Sequence, residues 1–91
     1  MATYTIGVST ISQGQSAYWF WDFNGPSRGP FTAQATPSNI GGNFADLRTH
    51  DLGYESSFNP DNVNGVFYTA HAVVTSWSGN AEYALEGGDF L

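Results

Sequence analysis

The chain contains no cysteine and no lysine, and its only basic side chains are Arg28 and Arg48. Without thiols there is no disulfide framework and no thiolate site, so stability must come from packing, assembly or oxygen-ligated metal. A formal net charge of −6 without a basic cluster argues strongly against nucleic acid and anionic membrane surfaces as partners, because both demand grouped Lys and Arg; cationic partners and metal ions stay open. No apolar run approaches the roughly 20 residues of a bilayer-crossing helix, so no membrane insertion is expected. Met1-Ala2-Thr3-Tyr4 lacks the basic start and apolar stretch of a signal peptide. Charged residues make up 11% of the chain, against about 25% in typical domains. Ser, Thr, Asn, Gln and Gly do the solubilising instead, a composition that favours an extracellular or released protein.

What is abundant is aromatic. Residues 18–23, Tyr18-Trp19-Phe20-Trp21-Asp22-Phe23, hold five aromatic side chains in six positions. In a strand, successive side chains point to opposite faces, which puts Tyr18 and Phe20 on one side and Trp19, Trp21 and Phe23 on the other. A single small sheet can turn only one of these sides to its core. The other needs a second layer, a partner chain or a ligand.

Alternation of Tyr4, Ile6 and Val8 with Thr5, Gly7 and Ser9 predicts a first strand, and Ser12-Gln13-Gly14-Gln15 reads as a turn joining it to the aromatic strand in a hairpin. Asn24-Gly25-Pro26-Ser27-Arg28-Gly29-Pro30 and Asn59-Pro60-Asp61-Asn62-Val63-Asn64-Gly65 are loops by their Gly, Pro and Asn content. Residues 31–36 read as a short edge strand closed by Pro37 and residues 38–43 as a loop; over residues 44–52 Asn43 offers a cap for a single helical turn while Asp46, Arg48 and His50 share one face of a strand, and the β character elsewhere favours strand or irregular backbone, continuing through residues 54–58. Residues 66–77 alternate most convincingly, with Val66, Tyr68, Ala70, Ala72 and Val74 on the face suited to a core. Ser78-Gly79-Asn80 then reads as a turn into a last strand over residues 81–85. Residues 1–91 are therefore expected to form one all-β domain, a compact antiparallel β-sandwich or small barrel of about five to seven strands.

Sugar rings lay C–H groups on indole faces while their hydroxyls need Asn, Asp, Gln and backbone partners. Trp19, Trp21 and Trp77, with Asp22, Asn24, Arg28, Asp61 and Asn64 in or beside the two loops, are the candidate ligand-binding residues. The alternative for the tryptophans is burial in the core or an interface. Asp61, Asn62 and Asn64, helped by Glu55, Glu86 or Asp89, offer oxygens of the kind calcium takes, but the calcium-loop pattern is incomplete. Asx-turns account for these residues without an ion, and neither a metal site nor a required cofactor is expected. One arginine is expected to anchor an internal carboxylate such as Asp46 or Asp22, leaving Arg28 the better ligand contact. His50, Asp51 and the Ser56-Ser57 pair suggest a relay, yet nothing in the sequence holds them in that geometry. No catalytic residue is expected and the chain is not read as an enzyme.

In size, absence of cysteine, Asn, Gly and Thr richness and surplus aromatics the chain resembles small microbial β-sandwich lectins in general character. The first reading is thus a non-enzymatic, lectin-like carbohydrate-binding module whose partner is a glycan. The alternative is a self-assembling coat, filament or layer subunit using the aromatic strand as its contact. Both readings favour a homo-oligomer, since avidity and unpaired strand edges point the same way.

Overall fold

A computed structural model describes residues 2–23, 31–58 and 66–89. These residues form four strands, β1 (Ala2–Ile11), β2 (Ser16–Phe23), β3 (Phe31–Phe58) and β4 (Val66–Asp89). All pairings are antiparallel and all converge on β4, which has β3 along one edge and β1 followed by β2 along the other. The sheet is open, and among the described residues the outer edges of β1, β2 and β3 pair with nothing.

The chain is all-β and antiparallel, but it is cut into fewer and longer strands than the local signals predict. The first two strands do not form a hairpin: β1 pairs with residues 81–89 and β2 with residues 68–75, end to end. The segment between them stays tied to β4, with the Gly14 N–H donating to Ser76 O at 2.9 Å and the Ser76 N–H donating to Gln15 O at 3.0 Å. The chain therefore jogs where its composition suggests a reversal. Pro37 does not close a strand either, because it lies in an edge strand beside a bulge, where a missing donor is tolerated. Residues 38–43 and 78–80 are likewise absorbed as register shifts.

These shifts coincide near the middle of the three runs and bend the sheet. Twenty-eight residues of β3 would span about 90 Å if straight at roughly 3.3 Å per residue. The longest dimension of the molecule is only 52 Å. Doubling back brings distant stretches of the same strands together, and Val74 shares one buried cluster with Tyr83, Leu85, Ile11 and Ala35. Phe31 at the start of β3 meets Tyr54 near its other end with ring centroids 5.0 Å apart, and meets Trp21 of β2 at 5.7 Å. The Ala35 N–H donates to Thr49 Oγ1 at 3.1 Å across the same fold.

The face-switching in β4 follows from its bulge. Ala70, Ala72 and Val74 are buried before it, and Ala81, Tyr83 and Leu85 after it. Even positions thus give way to odd ones. One residue inserted between Ser76 and Ser78, opposite Leu47 and Asp46, supplies the change of parity. Gly79, with φ at +80°, completes the corner in a conformation that L side chains resist.

Candidate functional site

The same inserted residue makes the candidate site. It is Trp77, which the bulge lifts out of the ladder and leaves 62% exposed, a common way for a bulge to re-aim a side chain. Around it, the register aligns three rows on the outer face. Arg48, Thr75 and Ser16 form the first, His50, Val73 and Tyr18 the second, Gly53, His71 and Phe20 the third. Trp77, Arg48, Thr49, His50 and Thr75 line an open hollow of about 450 Å³.

Electrostatics inside this face are local and paired. Arg48 grips Asp46 bidentately, Nε to Oδ1 at 3.2 Å and Nη2 to Oδ2 at 3.0 Å. This is the internal anchoring expected of one arginine. The guanidinium hydrogen bond holds the Asp46 carboxyl below its ordinary range, and the same bond raises Arg48. Arg48 Cζ lies 4.2 Å from the centre of the Trp77 ring, so one cation serves both a carboxylate and an indole face.

Beside this pair runs a chain of hydrogen bonds across all three strand positions. Asp51 Oδ2 is 2.9 Å from His50 Nδ1, His50 Nε2 is 2.8 Å from Thr75 Oγ1, and Thr75 Oγ1 is 2.8 Å from Ser16 Oγ. The bulge between His50 and Gly53 places Asp51 at φ 53°, a left-handed conformation that Asp tolerates better than most residues. Gly53 is small enough for the His71 ring, since a Cβ there would fall 2.8 Å from His71 Nε2.

The sequence candidates divide sharply. Trp19 and Trp21 point inward: Trp19 packs on the core cluster and donates its indole N–H to Tyr83 Oη at 2.9 Å, and Trp21 meets Phe31 edge to face. The aromatic strand's free side is the other one, with Tyr18 71% and Phe20 58% exposed. Trp77 is in the site. Asp22 lies in β2, paired with Thr69. Asn24, Arg28, Asp61 and Asn64, and with them the loop contribution to a glycan or calcium site, lie outside the described residues. Among the described residues no group of three or more acidic or histidine side chains is placed to hold a metal.

Thr75 and Ser16 carry no signal in the sequence, and Tyr18 and Phe20 stand there only as one side of the aromatic strand, not as ligand contacts. Alternation divides the aromatic strand into two faces without saying which is inside, and no local signal marks two hydroxyls that meet 59 residues apart. Comparison with protein-family models, curated proteins and solved structures finds no match to this chain.

Proposed function

We propose that this protein is a carbohydrate-binding module whose ligand lies on the outer face of β2, β3 and β4. The observation that carries this reading is the placement of Trp77, exposed at the rim of a hollow whose other walls are Arg48, Thr49, His50 and Thr75. An indole offers C–H contacts to a sugar ring, and guanidinium, imidazole and hydroxyl groups supply the donors and acceptors its hydroxyls require. Exposed Tyr18 and Phe20 extend the aromatic surface two rows along, giving room for more than one ring. Most charges here are internally paired, which suits a neutral ligand. The doubling of the sheet supports treating the fold as a small two-layer sandwich built from one bent sheet.

A broad glycan array, followed by titration of tryptophan fluorescence with any sugar retained, tests the reading. Binding should disappear in Trp77→Ala and weaken at least tenfold in Tyr18→Ser, while Trp19 reports only the fold. Silence across the array, or retention unchanged in Trp77→Ala, overturns it.

Assembly is the second reading, favoured by the length of β3 edge that is unpaired among the described residues and by exposed Val8, Ile40 and Phe44, none of which lines the hollow. Such edges template pairing with another chain unless blunted. Light scattering at micromolar concentration decides it, and a strict monomer ends that reading.

A further inference from the structure

We propose that Thr75 is an activated nucleophile, served by His50 as general base and Asp51 as its orienting carboxylate, and that it takes acyl groups from small esters entering the Trp77 hollow. The proposal goes beyond ligand binding and does not depend on the ligand being a sugar. Its basis is a chain of contacts in the order such chemistry needs: carboxylate to Nδ1 at 2.9 Å, Nε2 to hydroxyl at 2.8 Å. A nucleophile within hydrogen-bond reach of a base, the base in turn held by a third group, is the general signature of a reactive hydroxyl.

The directions of the hydrogen bonds follow from the groups themselves. An ionised carboxylate only accepts, so His50 Nδ1 carries the proton and donates it to Asp51. In the neutral ring Nε2 is then the acceptor, and the Thr75 hydroxyl must donate to it. Thr75 Oγ1 has its lone pairs left, and at 2.8 Å the Ser16 hydroxyl is the donor that satisfies one of them. Ser16 thereby fixes the rotor of Thr75 and leaves a further lone pair for attack. The chain is assembled from three strand positions, which argues for one preferred arrangement over a fluctuating surface pair.

The hollow gives access, and it is lined by both Thr75 and Arg48. Asp46 occupies Nε and Nη2 of Arg48; of the five guanidinium N–H groups this leaves three for charge developing nearby. In the proposed step Thr75 Oγ1 bonds to the ester carbonyl carbon and its proton passes to His50 Nε2, the imidazolium being stabilised by Asp51. The bond to the leaving oxygen then breaks and the alcohol departs with the proton from Nε2. Water repeats the sequence, releasing the carboxylic acid and restoring the hydroxyl.

Diisopropyl fluorophosphate tests the assignment without turnover, because Oγ1 displaces fluoride and keeps the phosphoryl group. Incubating the full chain with this reagent at neutral pH, with peptide mapping by mass spectrometry, should place one diisopropylphosphoryl group on Thr75. His50→Gln should slow labelling about a hundredfold, and Asp51→Asn about tenfold or more. Thr75→Val should abolish it, and Thr75→Ser should restore it, which separates a lost nucleophile from a disturbed strand. The proposal is overturned by no labelling of the wild type, by a label on Ser16, Tyr18 or another residue, or by labelling that is indifferent to His50→Gln and Asp51→Asn.

Discussion

The indole N–H of Trp19 donates to the hydroxyl of Tyr83 at 2.9 Å, with the ring planes 75° apart and centroids separated by 6.1 Å. Trp19 belongs to β2 and Tyr83 to the far half of β4, so this contact bridges the two halves of the bent sheet. It also closes a polar account inside the core, since Tyr83 is fully buried. Tyr83→Phe keeps the ring and removes the acceptor, leaving the indole N–H without a partner. A loss of about 1–3 kcal/mol is expected, read as a lower urea midpoint with an unchanged slope.

Trp19 reaches across to β1, where Gly7 makes room for it. A Cβ on Gly7 would sit 2.7 Å from Trp19 Cζ3. Gly7→Ala should therefore cost about 1–3 kcal/mol by overpacking, and should shift tryptophan emission because the ring must move. Tm and emission changing together is the expected result; an unaltered spectrum would show that β1 yields instead.

Gly79→Ala should be the most damaging single-methyl change at the bend. Its φ of +80° disfavours any side chain, and the added carbon would fall on the Phe44 carbonyl oxygen. Gly14, at φ +81°, has nothing within reach of a Cβ, so Gly14→Ala isolates the backbone cost at about 1 kcal/mol. Comparing the two variants by thermal unfolding gives the steric part by difference.

Tyr18→Ser and Phe20→Ser should behave in the opposite way. Both side chains are largely exposed, and changes of this kind usually stay within about 0.5 kcal/mol. A large loss of stability in either would mean that this aromatic face is covered in solution, which a matching fall in molecular mass would reveal.

Acid should release Arg48 from Asp46. Because the folded Asp46 carboxyl titrates below its ordinary range, the pair's contribution is complete above about pH 4 and is lost as pH falls through the lower folded value. Arg48, already raised, stays charged throughout. Both side chains are solvent-accessible, so the effect on stability is small and the useful readout is Trp77, whose ring Arg48 covers. The difference in emission between wild type and Trp77→Phe should change on acidification, and Asp46→Asn should show the acid form already at neutral pH.

Much of this was legible from residue order. The core face of β4 through Ala70, Ala72 and Val74 follows from alternation, as does the shared face of Asp46, Arg48 and His50, because pleating ties side-chain direction to position parity. The anchoring of an arginine on a carboxylate was legible too, cations being so scarce. Strand lengths were not. Pro37, residues 38–43 and residues 78–80 carry genuine turn chemistry, yet the ladder between β3 and β4 continues past them through Pro37 opposite Tyr83, Gly41 opposite Asn80 and Asp46 opposite Ser78, and local composition cannot register a partner that lies tens of residues away.

The sequence by itself determined that this protein is a β-structured, acidic chain with more aromatic surface than one core face can use, since composition and a period of two are local properties. Only the tertiary structure decided which surface that is. The bend between Ser76 and Ser78 turned Trp19 and Trp21 inward against the far half of the sheet, left Tyr18 and Phe20 outside, and raised Trp77 beside Arg48 and the Asp51, His50, Thr75 and Ser16 chain. Alternation fixes sides only relative to one another. Choosing the inner side takes contacts between residues far apart in the chain, and those exist only once the sheet has folded over.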